Sequence, residues 1–287
     1  MVILSGDSTL LGASIAPILR NNFQVYSFDD DRGSVSDPSF VRSLVDKVRP
    51  RAFVYCTPSF DPVACAYDPE QAYYFNARLP AALAATCSDA GVGFVAFSSS
   101  HVFGSPSQSA HRDDDEPHPI STFGDSLALG ESHIRAASAN SLIVRIAELC
   151  HPDAWFIGGA VRSLCAGKRV TVVRDWRVSP TSLFDCANAL VGLLLKDHHG
   201  IVNVSCAGSD SMRSVIERAA GRVYDLRGVD ATSMIDEVDA VEFVTPYDFP
   251  LSAVLDISLL SRVASCNPRP WQEALRECVE AIIASGQ

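Results

Sequence analysis

A short apolar run that ends in a glycine-bounded turn opens the chain and restricts its fold more than any other feature. The run "MVILS" (1–5) predicts a buried strand, and helical spacing of the apolar residues after the turn predicts a helix. Gly6 and Gly12 stand at the first and last positions of a G-x-x-G-x-x-G pattern, in which Thr9 replaces the middle glycine. Such a strand-turn-helix unit predicts a pyrophosphate site at the helix N-terminus. An ordinary turn with two glycines is the alternative.

Strand and helix patterns continue to alternate through the first half of the chain. Strands are predicted at "FQVYSF" (23–28), "AFVYCTP" (52–58), "GFVAFSSS" (93–100) and "SLIVRIAEL" (141–149), with amphipathic helical patterns between them. This alternation predicts βαβ units with right-handed crossovers. The predicted fold class is therefore α/β, a Rossmann-type doubly wound parallel sheet whose ligands bind outside the carboxyl ends of the strands.

The alternation becomes less regular after about residue 153, which predicts two parts. We expect residues 1–152 to form an NAD(P)-binding Rossmann domain. Residues 153–287 are expected to form mainly a smaller C-terminal substrate-binding lobe, with some segments that return to the Rossmann domain.

Charge and composition argue against several classes of partner. The net charge is −11 and the basic residues are scattered, so we expect no nucleic-acid partner. No apolar run approaches the roughly 18 to 20 residues of a membrane span, and Met1 does not begin a signal-peptide pattern, so we expect a cytoplasmic protein with no membrane partner. The nine cysteines lack metal-site spacing and are expected to be reduced core thiols, with no metal ion. The oligomeric state stays open.

Residues after the second predicted strand affect the choice of cofactor. Asp29 lies about 20 residues beyond the glycine turn, where an acid binds the adenosine ribose hydroxyls and disfavours a 2′-phosphate. Arg32 follows shortly afterwards and has the opposite preference. The sequence therefore leaves both NADH and NADPH open.

The order of segments resembles that of the extended short-chain dehydrogenase/reductases, specifically the dTDP-4-dehydrorhamnose reductase branch. The resemblance covers nearly the whole chain, and its matching segments are "DPSFVRSLVDKVRP" (37–50), "DPEQAYYFNARLP" (68–80), "FVAFSSSHVFG" (94–104), "VTVVRDWRVSPT" (170–181) and "GIVNVSCAGSDSM" (200–212). It implies a nicotinamide cofactor, NADPH or NADH, and a small-molecule substrate.

The resemblance also implies which residues contact the cofactor. They lie in the glycine turn, after the second and third strands and near the nicotinamide: Gly6, Ser8, Thr9, Leu10, Leu11, Gly12, Asp29, Asp30, Arg32, Ser34, Val35, Cys56, Thr57, Pro58, Asn76, Phe97, Ser98 and Ile146. For Cys56, Thr57, Pro58 and Ile146, plain packing at strand ends is an equal alternative. Ser99 matches the family's catalytic hydroxyl.

The stretch "ISTFGDSLALGE" (120–131) departs from the family's pattern. Phe123 and Leu127 occupy the positions where the family carries a Tyr and, four residues later, a Lys. In the family the Tyr gives a proton to the nascent alkoxide, and the Lys binds the nicotinamide ribose and lowers the pKa of the Tyr. General acid catalysis is worth roughly 10² to 10⁴ in rate, so we expect the usual mechanism to be absent. Ser99 is expected to orient the substrate.

The proton then has two alternative sources. His101 stands where the family has a Tyr beside the active site, and an imidazolium is able to give a proton near neutral pH, although a loop His with no such role is the simpler alternative. The other source is the substrate, if phenolic hydroxyls flank its ketone. In this respect the chain is similar to the atypical angucyclinone ketoreductases of simocyclinone-type antibiotic pathways, which lack both the Tyr and the Lys.

Several further residues are predicted to contact the substrate: Ser100, His101, Phe123, Trp155, Trp176 and Arg177. The two tryptophans offer flat surfaces to a polycyclic aromatic ketone, and burial in the core is an equal alternative for both. Arg177, together with Arg174, offers polar contacts or neutralises the pyrophosphate of a sugar nucleotide.

These patterns lead to one principal hypothesis and two alternatives. We predict an NAD(P)H-dependent ketoreductase that acts on an aromatic polyketide (angucyclinone) ketone in antibiotic biosynthesis, with hydride from the nicotinamide and the proton from the substrate. The first alternative is a catalytically inactive NAD(P)-binding regulatory or scaffold protein. The second is a dTDP-4-keto sugar reductase with a relocated acid.

Overall fold

The computed structural model describes residues 1–29, 35–56, 61–104, 110–243, 245, 247–264 and 266–286. Its strands, in chain order, are β1 (Val2–Ser5), β2 (Val25–Phe28), β3 (Ala52–Tyr55), β4 (Gly93–Ser99), β5 (Ser141–Ile146), β6 (Val170–Val173), β7 (Arg177–Val178), β8 (Gly200–Val204), β9 (Asp210–Ser211), β10 (Ile235–Val238) and β11 (Ser252–Ala253).

Its α-helices are α1 (Leu10–Asn22), α2 (Pro38–Val48), α3 (Pro62–Tyr67), α4 (Pro69–Tyr73), α5 (Leu79–Asp89), α6 (Thr122–Ala137), α7 (Ile157–Cys165), α8 (Leu183–Leu195), α9 (Met212–Arg227), α10 (Ser258–Val263) and α11 (Trp271–Ala284). A π-helical turn (Tyr74–Arg78) joins α4 to α5, and 3₁₀ turns form at Ser100–Val102, Thr232–Met234 and Ala240–Glu242. In the part of the chain that the structure describes, no helix is both long and apolar enough to cross a membrane.

The central element is a six-stranded parallel sheet with the order β2-β1-β3-β4-β5-β8. Successive side chains of a strand point to opposite faces, so Leu4 packs with α1 and α8 on one face, whereas Ile3 packs with α2 and α5 on the other. Apolar residues cover both faces, which is why the central strands are nearly continuous apolar runs. The predicted α/β, doubly wound fold is confirmed.

A second apolar cluster lies in the later part of the chain. Helices α7, α9 and α11 pack together there with the β6–β10 pair and with β7 of the small β11-β7-β9 sheet. Two later elements pack with the first part of the chain instead. Strand β8 is the edge strand of the central sheet, and α8 packs on α1. The division at residues 152 and 153 stays a prediction.

Two glycines bring α6 close to the elements beside it. A Cβ at Gly124 would lie 2.1 Å from the carbonyl oxygen of His101, and a Cβ at Gly130 would lie 2.0 Å from that of Asn76. The hydroxyl of Ser121 caps the helix by accepting from the amide of Gly124 at 3.2 Å. The start of α6 is therefore held at the carboxyl end of β4.

Candidate active site

A cavity of about 410 Å³ opens at the carboxyl ends of β4 and β5. Ligands of doubly wound sheets bind at this edge. Its walls come from both parts of the chain, and the lining residues are Leu10, Asp61, Pro62, Ser99, His101, Phe123, Ile146, Ala147, Glu148, Leu149, Asp153, Ala154, Trp155, Arg162 and Tyr247. A wider cleft of about 870 Å³ lies along α6 and the acidic loop 113–116, but none of the predicted site residues lines it.

The glycine turn has the tight geometry that a dinucleotide site requires. Gly6 has a positive φ of 78°, and a Cβ at Gly12 would lie 1.9 Å from the Gly6 carbonyl oxygen. The hydroxyl of Thr9 accepts from the Gly12 amide at 3.0 Å. It also lies 2.8 Å from the carbonyl oxygens of Gly6 and Cys56, one of which accepts its proton. Thr9 thus caps α1 from the position where the pattern lacks a glycine.

The acidic residue after β2 lies beside this turn. The carboxylate of Asp29 accepts from the amide of Ser8 at 2.6 Å. Val35 is fully buried in the apolar core, and its predicted contact with the cofactor stays a prediction. The predicted cofactor residues Asp30, Arg32, Ser34, Thr57 and Pro58 lie outside the described residues.

The end of β4 presents several polar groups. Ser99 lines the cavity, and its hydroxyl accepts from the amide of His101 at 3.2 Å. The hydroxyl oxygens of Ser98 and Ser100 and Nδ1 of His101 are buried, and none has a hydrogen-bond partner among the described residues. Burial lowers the pKa of His101 to about 4, so its imidazole is neutral near pH 7. This disfavours His101 as the source of a proton.

The two residues that are predicted to occupy the family's Tyr and Lys positions are both buried. Phe123 lines the cavity and meets the ring of His101 edge to face, with 5.3 Å between the ring centroids. Leu127 is buried in an apolar cluster with Phe103 and Leu255. A phenylalanine and a leucine supply neither a proton nor a cation here.

Polar packing behind these positions holds α6 in place. Asn76, in the π-helical turn, donates from Nδ2 to the hydroxyl of Ser126 at 2.9 Å. The guanidinium of Arg145 binds the carboxylate of Glu131 through two nitrogens, at 2.6 and 2.8 Å. Both partners of this ion pair are buried. The contact with the cofactor predicted for Asn76 stays a prediction.

The structure corrects three of the predicted substrate contacts, and the first is Ser100, which is fully buried and does not line the cavity. Trp155 is 46% exposed and lines the cavity, whereas Trp176 is 3% exposed and packs in the core against Phe156 and Phe249. The expectation of an open stacking surface is wrong for Trp176, because its neighbours in the second apolar cluster cover the ring. Arg177 lies exposed on β7 and does not line the cavity.

The side chains of three further predicted cofactor residues are part of the core. Leu11, Cys56 and Phe97 belong to the apolar cluster between the sheet, α1 and α8. Leu10 and Ile146, in contrast, line the cavity. The glycine turn and the end of β5 therefore border the same space.

Sequence reasoning missed five polar residues of the cavity: Asp61, Glu148, Asp153, Arg162 and Tyr247. Glu148 directly follows β5, and burial raises its pKa to about 7. Burial also raises the pKa of Tyr247, and the negative charges of Glu148 and Asp61 raise it further. The position of Glu148 after a parallel strand was the available signal. Asp61, Arg162 and Tyr247 come from segments that are distant in the chain from β4.

Comparison with known proteins identifies the family. The family described as "RmlD substrate binding domain" matches residues 1–283, and the chain belongs to this family. One relative is the "Probable low-salt glycan biosynthesis reductase Agl14" of Haloferax volcanii, which is 25% identical over 289 residues that cover 95% of each protein. The predicted resemblance to the dTDP-4-dehydrorhamnose reductase branch is thereby confirmed at the level of the family.

Solved structures share the fold. A dTDP-4-dehydrorhamnose reductase from Clostridium acetobutylicum has a TM-score of 0.87 and 23% identity, with 98% of this chain and 99% of that one covered. The enzyme from Bacillus anthracis, solved in complex with NADP, has a TM-score of 0.86 and 21% identity, with 99% of this chain and 98% of that one covered. The predicted nicotinamide cofactor agrees with the NADP of that complex.

Proposed function

We propose that this chain is an NAD(P)H-dependent ketoreductase that reduces a polycyclic aromatic ketone without the family's Tyr/Lys pair. The observation that carries the proposal is the wall of the cavity, where Phe123 stands at the Tyr position beside Ser99. An angucyclinone of an antibiotic pathway, such as one of the simocyclinone type, is the substrate class that this site suits.

The glycine turn supports the cofactor assignment. The first amides of a helix have no acceptor within that helix, which leaves those of Leu10 and Leu11 available to a pyrophosphate. The missing Cβ of Gly12 keeps the turn tight, and Leu10 connects the turn to the cavity. When bound, the nicotinamide supplies a hydride to a carbonyl carbon.

Shape and charge favour an aromatic ketone over a sugar nucleotide. Phe123, Trp155 and Tyr247 give the cavity aromatic walls, and its volume of about 410 Å³ suits a flat polycyclic molecule. The carboxyl groups of Asp61 and Asp153 disfavour a pyrophosphate at the same cavity.

The chemistry of the substrate replaces the absent acid. Ser99 donates a hydrogen bond to the ketone oxygen and orients it, because an aliphatic hydroxyl is too weak an acid to give up its proton. A phenol next to the ketone then gives its proton to the developing alkoxide. In this step the protein contributes position and exclusion of water, and the alkoxide takes its proton directly from the substrate.

A dTDP-4-keto sugar reductase is the second candidate. The named relatives act in glycan biosynthesis or are dTDP-4-dehydrorhamnose reductases, and Arg162 offers a guanidinium at the cavity whose Nη1 has no partner among the described residues. A regulatory NAD(P)-binding protein without activity is the third.

Turnover with two ketones separates these candidates. NAD(P)H oxidation is followed with a hydroxylated polycyclic quinone ketone and, in parallel, with a dTDP-4-keto sugar, and the proposal expects turnover of the polycyclic ketone. Turnover of the sugar nucleotide alone would establish the second candidate. Binding of NADPH without turnover of either ketone would establish the third.

A further inference from the structure

Glu148 is an acidic side chain of the cavity, and the hydride and proton transfers described above give it no role. Its backbone is fixed by a hydrogen bond from the amide of Thr181 to its carbonyl oxygen at 2.7 Å. Its side chain is half-buried and lines the same space as Ser99 and Phe123. No hydrogen bond or ion pair to its carboxyl group is found among the described residues. The group is therefore held at the site with its oxygen atoms free for a ligand.

Proton transfer within the substrate leaves a negative charge in a cavity whose lining has more carboxyl groups than cationic side chains. When a phenol protonates the alkoxide beside it, the negative charge moves to the phenolate oxygen. Asp61 and Asp153 add negative charge to the lining, and Arg162 is the cationic side chain at the same cavity. A phenolate enclosed there needs a proton from the protein.

Three other protic groups of the cavity are poorly suited to that task. Ser99 is an aliphatic alcohol and a weak acid. His101 is neutral near pH 7 because burial lowers its pKa to about 4. The phenol of Tyr247 has a pKa raised by burial and by the charges of Glu148 and Asp61, so it holds its proton more tightly than a free tyrosine. Burial raises the pKa of Glu148 to about 7, so a large share of the group carries a proton at neutral pH.

We propose that Glu148 is the proton donor of this site and that its carboxylic acid restores the proton that the substrate's phenol gives to the alkoxide. This role rests on the proposed function. With a reduced nicotinamide bound, transfer of its hydride would reduce the carbonyl carbon, and the phenol's proton would move to the former ketone oxygen. The O–H bond of Glu148 then breaks as that of the phenol re-forms. Water returns a proton to the Glu148 carboxylate before the next turnover.

The charges around Glu148 allow a clear pH test. The titratable or charged groups at the cavity are Asp61, His101, Asp153, Arg162 and Tyr247, and Cys150 lies close by in the chain. Of these, His101 and Tyr247 do not change charge between about pH 5 and 9, because burial shifts their pKa values out of that range. Loss of a proton from Glu148 therefore predicts a fall of kcat above about pH 7.

The test compares the wild type with Glu148→Gln and Glu148→Asp, using the polycyclic ketone and NADPH. Glu148→Gln keeps the shape but has no acidic proton, so kcat should fall about 100-fold and lose its inflection near pH 7, with KM nearly unchanged. Glu148→Asp should restore part of kcat and the inflection. Glu116→Gln, an exposed change outside the cavity, is the matched control and should keep the wild-type profile.

A second measurement needs no turnover. In protein with ¹³C-labelled glutamate side chains, one carboxyl resonance should titrate near pH 7 in the wild type and be missing from Glu148→Gln. A raised folded-state pKa also means that the folded protein binds the extra proton, so the stability contributed by Glu148 is lost as the pH rises from about 4.5 to 7. As the pH rises from about 4.5 to 7, the Tm of the wild type should therefore fall relative to the Tm of Glu148→Gln.

The outcomes separate the two proposals. Suppose that the wild type reduces the polycyclic ketone and that Glu148→Gln does so with the same rate and pH profile. That result would overturn the role of Glu148 and leave the proposed function in place. Absence of a glutamate resonance that titrates near pH 7 would overturn it as well. Failure of the wild type to reduce the polycyclic ketone would overturn the proposed function and, with it, the proton transfer built on that function.

Discussion

The glycine turn and the start of α6 border the same cavity. The turn retains both its backbone geometry and its polar contacts, whereas α6 retains only its backbone packing. At the turn, Gly6, Thr9 and Gly12 keep both the backbone geometry and the polar cap that a dinucleotide needs. At α6, Gly124 and Gly130 keep the close backbone packing, while Phe123 and Leu127 carry no acid or cation. This fold therefore holds a helix in position independently of the chemistry that the side chains of the helix perform.

The largest effect is expected at the turn itself. Gly12→Ala places a Cβ 1.9 Å from the Gly6 carbonyl oxygen, so the turn has to open. We expect NADPH affinity to fall by about 100-fold, which corresponds to about 2.7 kcal/mol, measured by fluorescence titration. Gly221→Ala is the control, because nothing lies within 4 Å of its added Cβ and alanine favours a helix by roughly 0.5–1 kcal/mol. Unchanged affinity in Gly12→Ala would show that the turn does not hold the cofactor.

A smaller effect is expected at the matching contact of α6. Gly130→Ala forces α6 away from the π-helical turn, because its Cβ would lie 2.0 Å from the Asn76 carbonyl oxygen. We expect a loss of about 1–3 kcal/mol in the free energy of unfolding, measured with urea. Gly159→Ala on α7 is the control, since the nearest atom to its Cβ is a side-chain nitrogen of Arg162 at 3.8 Å. Equal stability of both variants would mean that α6 is not packed as tightly as its glycines indicate.

Removal of the hydroxyl at the end of β4 should have a modest effect. Ser99→Ala takes away the hydroxyl that is proposed to orient the ketone but leaves the aromatic walls in place. We expect kcat with the polycyclic ketone to fall about tenfold, as expected for one neutral hydrogen bond, while NADPH affinity stays constant. Complete loss of activity would instead identify Ser99 as an essential part of the proton transfer.

The smallest effect is expected where the family's acid is missing. Phe123→Tyr restores a phenol at the cavity wall, but Leu127 supplies no cation to lower its pKa. Activity with the polycyclic ketone should stay within about threefold of the wild type, measured as NADPH oxidation. A large gain in activity would show that the absence of an acid limits the wild type. The start of α6 would then still be able to support catalysis, as the glycine turn supports cofactor binding.

The sequence by itself determined the fold class and much of the cavity's Rossmann side. Apolar runs and helical spacing are local patterns, so they predicted the parallel sheet, and ligands of such sheets bind at the carboxyl ends of the strands. Ser99, His101 and Phe123 do line a cavity at that edge. The patterns also identified the glycine turn, although the cap that Thr9 forms on α1 was not among the predictions.

Only the tertiary structure decided which side chains share the cavity and in which protonation state. Arg162 and Tyr247 come from segments far from β4 in the chain, and no local spacing relates them to Ser99. Trp176 is covered by residues that meet it only in the folded protein. The pKa of Glu148 is raised because folding removes water from around its carboxyl group. Burial is a property of the assembled molecule, and a single chain position does not determine it.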